Sequence, residues 1–120
     1  MGAAAKKDMG GDLTPVEAQT KVRRELERLM RIEFTGWVFI HINGGELKLF
    51  EQDEAAAIDT EHPAWPTAKR GAVTVDGCVS TLAGCQRERF YGRLSIAMKD
   101  GAILPPGPMR RSMTPIRLLP

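Results

Sequence analysis

Residues 36–42 read Gly-Trp-Val-Phe-Ile-His-Ile, and an Asn43-Gly44-Gly45 triplet and an alternating Glu46-Leu47-Lys48-Leu49-Phe50 run follow at once. The first run is rich in β-branched and aromatic residues and reads as a strand. The triplet tolerates the positive φ of a tight turn, and the second run is the returning strand of a hairpin. Side chains alternate between the two faces of a strand, so Val38, Ile40 and Ile42 share one side and Trp37, Phe39 and His41 the other. Both sides are apolar enough to require cover. One helix can shield only one of them, which leaves the second to the C-terminal half of the chain or to another subunit.

A helix is specified immediately upstream. In Thr14-Pro15-Val16-Glu17 the threonine can cap the first turn, the proline suits that turn, and the glutamate can reach back to the cap. Ala18, Val22, Leu26, Leu29 and Met30 then recur at helical spacing, while Arg23, Arg24, Glu27, Arg28 and Arg31 fall on the opposite side. The spacing predicts a helix over residues 15–32. Downstream, residues 51–62 read as a short acidic helix, and residues 63–66, with Pro63 and Pro66, as a turn. Residues 72–75 and 78–82 flank Asp76-Gly77 as a second hairpin, and residues 92–98 and 102–104 flank Lys99-Asp100-Gly101 as a third. Pro105, Pro106 and Pro108 are expected to end any ladder. The fold class is therefore α+β, an antiparallel sheet of consecutive β-hairpins with one amphipathic N-terminal helix packed on a face. Residues 1–13 read as a flexible tail, 14–108 as a single domain and 109–120 as a basic extended tail.

Composition agrees with one folded domain of 120 residues, 42% hydrophobic and 27% charged. Only 6% is aromatic, so the core must be mainly aliphatic, with Trp37, Phe39, Phe50 and Phe90 as its large fillers. The sequence shows no signal-peptide pattern and no run of about 18 apolar residues. The expected setting is cytoplasmic, without membrane contact, with Cys78 and Cys85 as free thiols. Charge is segregated: residues 34–68 carry a net −5 and residues 69–120 a net +6, within a total of +2.

Aligning Phe34 with Phe90 also superposes Gly36 on Gly92, Ile40 on Ile96 and Gly45 on Gly101. Duplication and two independent hairpins both satisfy that pattern. Upstream the copies differ, because residues 22–32 are helical in pattern whereas residues 78–88 contain Gly84 and do not read as a helix. Residues 26–45, Leu-Glu-Arg-Leu-Met-Arg-Ile-Glu-Phe-Thr-Gly-Trp-Val-Phe-Ile-His-Ile-Asn-Gly-Gly, join a helix to a Gly-x-Val-x-Ile hairpin. This stretch resembles a family of very short uncharacterised bacterial and phage proteins, which implies a prokaryotic setting and carries no catalytic residue.

No phosphate-binding glycine loop or nucleophile-elbow pattern occurs in the sequence. Cys78, Cys85, His41 and His62 lack the spacing of a zinc site, and neither cysteine is marked as a nucleophile. The expected function is that of a non-enzymatic binding protein without cofactor or metal. It would act as a regulator or inhibitor through a protein–protein interface, and the doubly apolar hairpin makes a homodimer a further expectation. Candidate partner contacts are Trp37, Glu51, Asp53, Glu54, Asp59, Glu61, Trp65, Arg110 and Arg111. The alternative is nucleic-acid binding through Arg23, Arg24, Arg28, Arg31 and Arg117, since phosphate contacts need such side chains.

Overall fold

Alternation at residues 36–42 has the predicted result. In the computed structural model, which describes residues 4–8, 13–55, 74–105 and 107–113, the chain runs β1 (Ala4–Asp8), α1 (Pro15–Arg31), β2 (Gly36–Asn43), β3 (Glu46–Glu54), α2 (Val75–Arg87), β4 (Gly92–Lys99), β5 (Ala102–Ile103) and β6 (Met109–Ser112). The strands form one antiparallel sheet in the order β1-β3-β2-β4-β5, with β6 pairing β4 on the same side as β5. Val38, Ile40 and Ile42 of β2 and Leu94, Ile96 and Met98 of β4 are buried in one core with Val22, Leu26 and Leu29 of α1 and Cys78, Leu82 and Cys85 of α2. Both helices therefore cover the same face of an α+β sheet.

Local chemistry sets the first helix. Thr14 Oγ1 accepts from the Glu17 N–H at 3.2 Å, and the Thr14 N–H donates to Glu17 Oε1 at 3.0 Å, closing a capping box with Pro15 in the first turn. Ala18, Val22, Leu26 and Leu29 face the core. Met30, expected among them, is exposed, because it lies beyond the edge of that stripe, beside the turn that ends the helix.

Residues 75–82 depart from expectation, since they form no hairpin. Thr74 Oγ1 accepts from the Gly77 N–H at 3.1 Å, so the Asp76-Gly77 pair sits in the first turn of α2 instead of closing a β-turn. Cys78, Leu82 and Cys85 then recur at helical spacing on the buried side. Gly84 lies within α2 beneath the Arg110 side chain, and a Cβ there would stand 3.1 Å from its guanidinium.

Three end segments also differ from the sequence reading. Ala4–Asp8, expected as tail, pairs with the outer edge of β3, where unpaired backbone groups can accept another strand. Glu51–Glu54, expected to open an acidic helix, continue β3 opposite residues 36–39. Past the interruption at Pro105 and Pro108, Met109–Ser112 rejoins the ladder beside β4, with Ser112 opposite Gly92 and Met109 opposite Ser95. Proline removes a backbone donor, which splits this return strand into β5 and β6 without ending it.

These corrections extend the repeat to the whole unit, so that α1-β2-β3 and α2-β4-β5/β6 are two copies of one arrangement. Phe34 N–H donates to the Leu29 carbonyl at 3.0 Å, and Phe90 N–H to the Cys85 carbonyl at 2.9 Å. Glu33 and Arg89 close the helices at φ 54° and 52°. Gly36 and Gly92 open the strands at φ 153° and 150°, where a Cβ would overlap the carbonyl of Asp53 or Arg111 and the ring of Phe34 or Phe90. The copies also bond reciprocally, Gly45 N–H to the Phe90 carbonyl and Gly101 N–H to the Phe34 carbonyl, each at 3.0 Å. In the β2–β4 register Trp37 faces Ala97, Phe39 faces Ser95 and His41 faces Arg93. This register is symmetric about the Phe39–Ser95 pair, so a pseudo-two-fold axis passes there.

Candidate functional site

The second face of β2 lies on the side of the sheet away from both helices. Trp37, Phe39 and His41 are each half-buried there, although the other side of the same strand is fully covered. The rings of Trp37 and Phe39 run parallel, with centroids 6.1 Å apart and planes 5° from each other. On β4, Ser95 is half-buried and Ala97 buried, so small side chains lie beside this aromatic ridge.

Charges of opposite sign flank the ridge. On the β3 side, Glu51 stands opposite Phe39 and Asp53 opposite Trp37, and Glu51 Oε1 lies 3.0 Å from His41 Nε2. Across β2, the Arg93 guanidinium lies over the Phe39 ring, 4.7 Å from its centroid, a contact worth about 0.5–2 kcal/mol. Arg111 of β6 sits directly opposite Arg93. Neither arginine forms an ion pair among the described residues, and the buried Arg93 Nε has no hydrogen-bond partner among them. Like charges placed opposite one another on neighbouring strands are destabilising.

The pseudo-two-fold axis allows this face to be compared with itself. Towards the helices, equivalent positions hold like residues: Val38 and Leu94, Ile40 and Ile96, Ile42 and Met98. On the opposite face the equivalents are Trp37 and Arg93, Phe39 and Ser95, His41 and Ala97. Packing alone therefore accounts for one side of the sheet, while the other side carries a distinct and asymmetric set of residues.

Of the residues singled out from sequence, the fold brings together Trp37, Glu51, Asp53 and Arg111. Glu54 falls opposite Gly36 and so on the helix side of the sheet. Arg110 also points that way, ion-paired with Glu88 and 5.5 Å above the Phe90 ring. Asp59, Glu61, Trp65 and Arg117 lie outside the described residues, as do His62 and residues 63–66. On α1, Arg23 pairs with Asp76 at 2.6 Å and Arg28 with Glu25 at 2.9 Å, whereas Arg24 and Arg31 are exposed. Phe39, His41 and Arg93 complete the face. The alternation already placed the first two beside Trp37, and the repeat alignment sets Arg93 on the Trp37 position.

The thiols lie in the core, away from this face. Cys78 and Cys85 are free and fully buried on α2, and burial pushes the Cys78 thiol up to about 11 and that of Cys85 upward as well. Seven residues apart on one helix, they stand roughly 10 Å apart, beyond the reach of a disulfide. Among the described residues no group of three or more His, Cys, Asp or Glu is placed to hold a metal ion, and no helix is long and apolar enough to cross a membrane. No family model matches the chain, and neither does any curated protein or solved structure.

Proposed function

We propose that the protein is a non-enzymatic binding module that docks a protein partner on the face of its sheet opposite the helices, as a small regulator or inhibitor would. The observation that carries this reading is the divergence of the two copies on that face of the central strands, beside like residues on the helix side of the same strands. The helix-side residues of the two central strands repeat, whereas Trp37, Phe39 and His41 stand on one strand and Arg93, Ser95 and Ala97 on its equivalent. Aromatic and arginine side chains with an apolar body and a polar tip dominate the binding energy of protein interfaces. The buried thiols, held in the neutral form, offer no nucleophile, which favours binding over group transfer.

Nucleic acid is the second reading, favoured by the stacked Trp37 and Phe39 beside Arg93 and Arg111, since aromatic rings with flanking cations also receive unpaired bases. Glu51 and Asp53 on the same face set negative charge against a phosphate track, and the protein reading is preferred for that reason.

Capture from a bacterial lysate, with and without nuclease, tests the proposal when wild-type chain is compared with Trp37→Ser. Support would be a stoichiometric protein that survives nuclease, is lost with Trp37→Ser and is kept by Arg24→Ala on the helix. Capture that disappears with nuclease, or that Trp37→Ser leaves intact, would contradict it.

A further inference from the structure

We infer that the outer edge of β6 receives an extended, acidic segment of a partner protein as an added antiparallel strand. The inference stands apart from the docking face proposed above, because it rests on the sheet edge beyond β4 and on the symmetry of the fold. Trp37 stands opposite Asp53 and its equivalent Arg93 opposite Arg111, so Asp53 and Gln52 of β3 correspond to Arg111 and Arg110 of β6. The outer edge of β3 carries β1, with Ala4, Ala5 and Lys6 opposite Asp53, Gln52 and Glu51. Among the described residues no strand pairs with the corresponding edge of β6. Backbone direction makes that edge usable. In an antiparallel pair a residue turns its N–H and its C=O to the same neighbour, and successive residues alternate. Met113 N–H donates inward to the Tyr91 carbonyl at 2.9 Å, so Arg111 also faces β4, while Arg110 and Ser112 turn their backbone groups outward. Those groups lack a partner among the described residues, and such a row is a template for a further strand.

Charge selects the segment. The acidic end of β3 lies beside a strand that contains Lys6 and Lys7, whereas the equivalent edge is itself basic. On one side of the sheet stand Arg111, exposed, and Arg93 behind it on β4, without an ion pair among the described residues. On the other side Arg110, paired with Glu88, shares the surface of Gly84 with Arg87, since a Cβ there would stand 3.1 and 3.8 Å from the two guanidinium groups. An added strand presents alternate side chains to the two faces, so carboxylates on either face meet guanidinium groups, and charge-assisted pairs are the stronger hydrogen bonds. A second copy is disfavoured here, because β6 against β6 opposes Arg110 and Arg111 to the same residues. β6 spans only 4 residues, so binding is expected to be weak and to fall with salt.

Amide hydrogen exchange of the full chain, with and without a blocked peptide alternating glutamate with threonine, tests this. Exchange at Arg110 and Ser112 should slow on binding, while that at Arg111, whose N–H already faces β4, should change least. The same peptide with lysine for glutamate should not bind. Arg111→Glu should weaken binding about tenfold or more, and Arg24→Ala on α1 should not. N-methylation of the peptide's amides, which keeps its charge and removes its donors, should abolish binding. Circular dichroism checks the folding of Arg111→Glu, and Arg111→Ser repeats the comparison if that variant unfolds. Failure of the glutamate peptide to bind at millimolar concentration overturns the inference, as does binding that N-methylation leaves intact. Protection of Arg110 and Ser112 that grows with the concentration of the chain alone would assign the edge to a second copy and overturn it. So would a single-stranded oligonucleotide that displaces the peptide and binds more tightly, which would assign the edge to nucleic acid.

Discussion

Gly36 and Gly92 show how far a single residue can be read physically. Each opens a central strand at a φ that side-chain-bearing residues rarely adopt, with the return strand's backbone and a phenylalanine ring occupying the space of a Cβ. Gly36→Ala is expected to cost about 1–3 kcal/mol, the range of such local strain, measured as a shift in the urea unfolding midpoint. The paired glycines were legible in the sequence as a repeat, but the reason for them was not, since it lies in Asp53 and Arg111, which the fold brings from the far end of each return strand. Cys78 gives a second residue-scale prediction. Its thiol keeps its proton up to about 11 in the folded chain against an ordinary 9.0. Above about pH 9 the unfolded chain therefore holds fewer protons than the folded one, and stability falls as pH rises from 9 towards 11. Native protein at pH 8 should resist alkylation at both thiols and take up label only on unfolding; fast labelling would contradict their burial.

The elements most legible from sequence were those whose signals are local. The α1 cap, its apolar stripe and the β2–β3 turn each lie within a few residues, and the structure places them as that chemistry implies. Glu17 is held below its ordinary range chiefly by the hydrogen bond from the Thr14 backbone. The cap's contribution is therefore complete above the ordinary glutamate range and is lost as pH falls through the lowered value. Thr14→Ala should cost about 1 kcal/mol near neutral pH. The difference between wild type and Glu17→Gln in urea melts should vanish in acid, and an undiminished difference would mean the cap is not made. α2 misled because Asp76-Gly77 suits a tight turn as well as the first turn of a helix, and Gly84 lowers helix propensity in a segment whose Cys78, Leu82 and Cys85 are buried against the sheet. Likewise β6 and β1 owe their places to open sheet edges, a tertiary property that no local pattern encodes.

For the molecule as a whole, the sequence showed that the hairpin had two apolar faces and a single adjacent helix. The structure answers for one of them: a second αββ unit supplies the second helix, and the two helices jointly cover the side of Val38, Ile40, Leu94 and Ile96. The opposite side became recognisable as a candidate site only when the pseudo-two-fold axis allowed Trp37, Phe39 and His41 to be set against Arg93, Ser95 and Ala97. Of the acidic and basic residues drawn from charge segregation, Glu51, Asp53 and Arg111 reach that face, because β3 and β6 lie on opposite sides of the β2–β4 pair. Glu54 and Arg110 are turned away by the pleat of the same strands, an alternation that could be read only after the register was known.

Amide chemical-shift mapping of the full chain by NMR, on addition of any captured partner, tests the central claim most directly. The account predicts changes concentrated at residues 37–41, 93–97 and 109–111, with the exposed surfaces of α1 and α2 unaffected. Changes centred on the helices, with the β2–β4 face silent, would contradict it.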